Sequence, residues 1–265
     1  MISTLLLLCG VAACLATAYA LRGGLTSPGG TTVMGMDLQG IGFAVLSIVA
    51  AIWFFGPLLG LALIAVVVIH EFGHVAAFRA AGHADARFRL VPLLGGYAIS
   101  NRQPDTQEES VFITLMGPAI CMAPMLLAYG LVPLAAATFP AAIMPLVTFA
   151  GVCGALNFFN LLPIWPLDGG RLTASIAGAF WEPLPLLIGS VVSGLLMLFA
   201  VYNSSLLLGF LAIMGLQNLV TNGGSDGRTA SRTMSKPRAL LCLGAWFFTT
   251  ITLFFGGFGM IMRFV

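Results

Sequence analysis

The stretch Ala62-Leu63-Ile64-Ala65-Val66-Val67-Val68-Ile69-His70-Glu71-Phe72-Gly73-His74-Val75-Ala76-Ala77 sets three ionisable side chains into an otherwise unbroken apolar run. A helix is the only local structure that satisfies every backbone group of such a run in hydrocarbon, so the stretch reads as a membrane-crossing helix. An ionised group at mid-bilayer costs about 2.5 to 3.5 kcal/mol on insertion scales, which is why such residues have partners and mark function.

The rest of the chain agrees. Of 265 residues, 59% are hydrophobic and 8% are charged, against about 25% charged in a soluble domain. Apolar blocks fall at residues 2–21, 40–56, 58–81, 110–131, 138–163, 184–201, 204–220 and 239–259, most of them near the roughly 20 residues that a crossing needs. The expected fold is an all-α polytopic membrane protein of about eight transmembrane helices. Gly56-Pro57 divides the second block from the third, because proline cannot continue a helix interior and displaces its predecessor. Residues 132–137 are expected to form a short turn. The first block is expected to be a retained helix: Ala18-Tyr19-Ala20 resembles a cleavage site, but no basic segment precedes it.

Arg87, Arg89 and Arg102 lie in one loop, and Arg228, Arg232, Lys236 and Arg238 in another. Their excess of positive charge assigns both loops to the cytoplasmic side. The segment Asn222-Gly-Gly-Ser-Asp-Gly-Arg228 reads as a flexible connector. A net charge of +2, thinly spread, gives no footprint for nucleic acid. The five cysteines lie in apolar blocks without CxxC spacing and read as small hydrophobes.

Positions four apart on a helix share a face, so His70 and His74 can present two imidazole nitrogens to one metal ion. Glu71 lies about 100° around the helix and can take a proton from water at the metal. Shuffling this composition yields HExxH in roughly 0.0005 occurrences per chain, which makes chance a poor explanation. A catalytic zinc site takes three protein ligands, and Asp168 is the candidate third. It sits in Asn160-Leu-Leu-Pro163-Ile-Trp-Pro166-Leu-Asp168-Gly169-Gly170-Arg171, where prolines and glycines interrupt an apolar block at the cytoplasmic side. Irregular backbone at that depth needs protein or a water-lined cavity around it. His70 lies roughly 18 to 20 Å from the outer turn at 1.5 Å per residue, hence nearer the cytoplasmic face. Glu108 and Glu109 are rival ligands, better explained as a solvated helix start. His83 reads as a surface histidine beside Gly82, and Glu182 as an interfacial residue.

His70-Glu71-Phe72-Gly73-His74 and Asn160-Leu-Leu-Pro163 through Pro166-Leu-Asp168-Gly169 resemble the two signature motifs of the site-2 protease family of intramembrane zinc metalloproteases. The resemblance implies one Zn2+ held by His70, His74 and Asp168, with Glu71 catalytic, in a three-helix catalytic core over residues 58–175. Residues 1–57 and 176–265 then form flanking helices. Pro92-Leu-Leu-Gly95-Gly96-Tyr97 is similar to the family segment that forms a membrane-dipping β-hairpin, here near residues 87–101, and Gly95, Gly96, Tyr97 and Asn160 are the implied substrate-binding residues. Gly117-Pro118-Ala-Ile-Cys121 resembles a Gly-Pro-x-x-Asn element, with cysteine where asparagine is usual. Residues 132–137 leave no room there for the PDZ domain of some members. The implied activity is cleavage of transmembrane protein substrates, such as membrane-tethered regulators or remnant signal peptides, within the lipid bilayer. The implied location is a prokaryotic cytoplasmic membrane.

Overall fold

The computed structural model describes residues 2–25, 38–91, 95–222 and 233–263. Among these, six helices are long and apolar enough to cross a membrane: Ile2–Ala20, Gly40–Ala80, Gln107–Thr138, Pro140–Asn160, Leu184–Tyr202 and Lys236–Ile261. The chain is therefore a multi-pass membrane protein. Large apolar side chains face outward, Trp53 by 83% and Phe255 by 72%, as a lipid-exposed surface allows.

The expected count of about eight differs for two physical reasons. Helix α3 (Leu38–Ala80, 43 residues) runs through Gly56, whose φ of 78° and ψ of 166° interrupt its helical backbone at the expected position. Helix α9 (Leu206–Asn222) has 17 residues, fewer than the roughly 20 of a full crossing. The connector at 223–228 and Arg228 and Arg232 lie outside the described residues.

The chain divides into two compact units. One comprises Met1–Arg102, Met116–Phe158 and Ile251–Phe264. It holds α1 (Ile2–Ala20), α2 (Arg22–Leu25), α3, the strands β1 (Arg87–Val91) and β2 (Gly95–Ile99), the end of α4 (Gln107–Ile120), α5 (Met122–Thr138), nearly all of α6 (Ile143–Asn160) and the end of α10 (Lys236–Ile261). Small residues set its helix crossings. A methyl at Gly10 would lie 2.8 Å from the Leu127 side chain, and one at Gly130 would lie 2.7 Å from Leu7, so α1 packs closely on α5. Gly154 and Gly257 do the same for α6 and α10, and the Tyr129 hydroxyl donates to the Gly256 carbonyl at 2.7 Å. Close approach of small residues is the usual device of helix packing in lipid.

The expected turn at 132–137 is helical. Pro133 lies inside α5, and the chain turns at Phe139 (φ −150°, ψ 77°), the residue that Pro140 displaces from the helical region.

The strands pair antiparallel, Arg87 with Ile99 through Val91 with Gly95. Residues 92–94 of the glycine-containing segment lie outside the described residues. His83 is a correction: it is 1% exposed. The helix α3 ends in a left-handed Gly82 (φ +95°), with the His83 amide donating to Phe78 and the Gly82 amide to Arg79, the two bonds of a Schellman cap. That turn folds the imidazole back onto Phe78, ring centroids 5.3 Å apart, with Nδ1 3.0 Å from the Ser100 hydroxyl. Ser100 donates to Asp85 at 2.9 Å, and the Asn101 amide donates to the same carboxylate at 2.6 Å. These bonds close the base of the strand pair.

The other unit comprises Gln103–Leu115 and Phe159–Thr250, with Val265. It holds the start of α4, α7 (Asp168–Gly178), α8 (Leu184–Tyr202), α9 and most of α10. Thr106 accepts the Glu109 amide at 3.1 Å while the Glu109 carboxylate accepts the Asp105 amide at 2.9 Å, a reciprocal cap of the α4 N-terminus. Glu108 accepts from Arg238 at 3.0 Å.

The bond from the Asn101 amide, followed by that from Ser100, holds the exposed Asp85 carboxyl below the usual range. A depressed folded pKa contributes stability that is complete above the ordinary value of about 3.9 and is lost as pH falls through the folded value. Amide exchange at Asn101 is expected to accelerate about tenfold in Asp85→Ala at pH 7, a loss of about 1.4 kcal/mol of local protection. Unchanged exchange would show that the carboxylate does not hold the strand base.

Candidate metal centre

The side chains of His70, Glu71 and His74 on α3 are 3%, 5% and 7% exposed. The two imidazoles meet edge to face, ring centroids 4.7 Å apart at 82°, with their Nε2 atoms 3.0 Å apart. Two nitrogens at Zn–N distances of 2.0 to 2.1 Å in a tetrahedral site stand about 3.3 Å apart, so a few tenths of an ångström of opening admits an ion.

Two features of the same unit hold these rings. The first is Asn157 on α6, 0% exposed, whose Oδ1 lies 2.6 Å from His70 Nδ1 and whose Nδ2 donates to the Cys153 carbonyl at 2.8 Å. A carbonyl only accepts, so Nδ2 must face Cys153 and Oδ1 must face His70. His70 Nδ1 therefore carries the proton, and Nε2 keeps its lone pair for a metal. The second is the approach of α4. A methyl at Gly73 would strike the Met116 carbonyl, and one at Gly117 would strike Nε2 and Cε1 of the His74 ring.

Asn157 was invisible as a site residue in the sequence reading, although an amide inside an apolar helix is itself a signal. Cys121, standing where the resembling element has asparagine, is buried and in hydrogen-bonding contact with Cys153 and Asn157. The amide that reaches His70 thus comes from α6 rather than from position 121.

In the other unit, Asp168 opens α7 and is 7% exposed. The chain leaves α6 and folds back on the segment just after it: a methyl at Gly169 would strike the carbonyls of Leu161 and Leu162, and one at Gly170 would stand 2.6 Å from the Trp165 nitrogen. Those two glycines are thus steric requirements of the turn that delivers Asp168. The Trp246 indole donates to the Leu161 carbonyl at 3.2 Å, satisfying a group the helix end leaves open.

His70 and His74 of the first unit and Asp168 of the second are each buried, and their side chains are of the types that ligate a metal. Two neutral imidazoles and a carboxylate suit zinc. Asn160, at the end of α6, is half-buried. Glu108 and Glu109 are engaged as described above.

The apolar helices define a multi-pass membrane protein, and the buried histidine pair of α3 and the buried Asp168 of α7 are its candidate metal ligands. Among curated proteins, a Synechocystis protein named as a candidate zinc metalloprotease is 31% identical over 128 residues, covering 47% of this chain and 32% of that protein. The chain thus spans about a third of the length of the curated relative it matches. Among solved structures, the site-2 protease from Methanocaldococcus jannaschii aligns at a TM-score of 0.48 with 22% identity, covering 75% of this chain and 90% of that one. No family model matches the chain.

Two substitutions test how the rings are held. Asn157→Leu removes the Nδ1 acceptor and is expected to weaken zinc affinity about 10- to 100-fold, read by competition with a chromophoric chelator. Gly117→Ala displaces the His74 ring and is expected to abolish stoichiometric zinc while leaving the helical circular dichroism unchanged. Native affinity in both would contradict the geometry.

Proposed function

We propose that this chain is an intramembrane zinc metalloprotease of the site-2 protease type, which hydrolyses peptide bonds within or near transmembrane segments of other membrane proteins. The observation that carries the proposal is the buried pair of His70 and His74, Nε2 atoms 3.0 Å apart, on the helix that also bears the buried Glu71; Asp168 is the third ligand in this reading. The 31% identity to a candidate zinc metalloprotease supports it.

His70, His74 and Asp168 hold the metal. When bound, zinc supplies Lewis acidity, bringing the ionisation of water into the neutral range and polarising a carbonyl. Glu71 accepts a proton from the attacking water and returns it to the leaving amine. Asn157 fixes the His70 tautomer.

The substrate segment must be unwound, because a hydrogen-bonded helix hides its carbonyls from a nucleophile. In this reading Gly95, Gly96 and Tyr97 on β2 offer a strand edge to that segment, and the Asn160 amide holds its backbone. The hairpin at 87–101 dips into the bilayer, and the two halves of α3 and the short α9 bring the crossings to about eight around a three-helix core. The active site lies nearer the cytoplasmic face of a prokaryotic membrane, and the substrates are membrane-tethered regulators or remnant signal peptides.

The test is zinc content and cleavage of single-span model substrates in detergent. Glu71→Gln is expected to keep zinc and lower cleavage at least about 100-fold, the usual contribution of a general base, while Asp168→Ala loses both. Zinc bound by the native chain without cleavage of any substrate would point to a metal-sensing or transporting protein, and full activity of Glu71→Gln would overturn the mechanism.

A further inference from the structure

Helices in lipid satisfy a serine or threonine hydroxyl by returning it to the carbonyl four residues back, and this chain does so repeatedly. Ser190 donates to Leu186 at 2.8 Å, Thr173 to Gly169 at 2.7 Å, Thr249 to Ala245 at 2.9 Å and Thr250 to Trp246 at 2.8 Å. Ser193 on α8 is different. It is 1% exposed, and its Oγ has no hydrogen-bond partner among the described residues. The Nδ2 of Asn218 on α9, a residue 3% exposed, also has none.

Both residues line one cavity, together with Thr173 of α7. Unpaired polar groups are costly in an apolar environment, and here two of them share one space. Glycines keep that space open: a methyl at Gly215 would stand 2.5 Å from the Ser193 hydroxyl, and one at Gly189 would stand 2.9 Å from the Leu219 side chain.

The cavity has room for the centre of a water molecule over about 20 Å³. One water needs roughly 10 to 15 Å³ by that measure and two to four polar partners. None of the lining residues is charged, so the space offers a small ion no counter-charge, and the Asn218 amide hydrogens oppose a cation. An organic ligand is too large.

We propose that the cavity bounded by α7, α8 and α9 is a specific binding site for one water molecule, held by Ser193, Asn218 and Thr173. The water accepts from the Asn218 amide, exchanges a hydrogen bond with the Ser193 hydroxyl, and donates to Thr173, whose own hydrogen is given to Gly169. It links α8 and α9 to α7, the helix that begins with Asp168. The site stands independently of the proteolytic reading.

X-ray hydroxyl-radical labelling oxidises residues beside bound water, and mass spectrometry of the full chain in detergent reads it. Leu219 and Trp165, half-exposed residues that line the cavity, are expected to label at least twofold faster in the native chain than in Ser193→Val with Asn218→Leu, which fills the cavity, while the half-exposed Leu211, which does not line it, labels equally in both. The milder Ser193→Ala keeps the fold testable should the double variant misfold, and it should lower the labelling of Leu219 and Trp165 in the same direction. Labelling of those two residues unchanged in both substituted chains would show that no bound water is held there and overturns the proposal.

Discussion

An imidazole or a carboxylate inside hydrocarbon must find a partner, and this requirement organises the unit around α3. His70, Glu71 and His74 stand in a helix whose other residues near them are almost wholly apolar. Insertion of such groups is unfavourable by a few kcal/mol each unless neighbours compensate. The compensation is visible residue by residue. Asn157 bonds one ring of the pair, the rings approach each other through their Nε2 atoms, and Gly73 and Gly117 let the α4 backbone close over them. A larger residue at either glycine would hold the helices apart and open the polar groups to lipid.

The same requirement shapes the segment from Asn160 to Arg171. Leaving a helix at membrane depth strands backbone carbonyls, which lipid cannot satisfy. Here the chain turns within a few residues and restarts as α7. The Trp246 indole meets the Leu161 carbonyl, Ile164 meets Leu162, and Leu167 meets Ile164. The prolines and glycines that look like breakers in the sequence are thus what permits so tight a reversal, and the reversal is what places a carboxylate at the start of a helix.

Much of this was legible in the sequence. Membrane character follows from composition, most helix positions from the length of the apolar blocks, and the Gly56-Pro57 interruption from proline chemistry. The pairing of His70 with His74 follows from their spacing and from the improbable presence of ionisable groups in an apolar run. Other parts were hidden for physical reasons. Pro133 is tolerated within α5, so the turn was misplaced by several residues. His83 is buried because a left-handed glycine folds it back, a conformation that the letters Gly-His do not specify. Asn157 acts across α6 and α3, 87 positions apart in sequence, and only packing reveals which helix faces which.

The central claim is that His70, His74 and Asp168 together hold the metal. X-ray absorption of the zinc-loaded chain tests it most directly, since Cys121 and Cys153 contact Asn157 or its carbonyl partner close by and would be the competing ligands. The account predicts about four nitrogen and oxygen neighbours at roughly 2.0 to 2.2 Å, with the outer-shell scattering of two imidazoles and no sulfur. A sulfur shell at about 2.3 Å, or a spectrum lacking imidazole scattering, would contradict it.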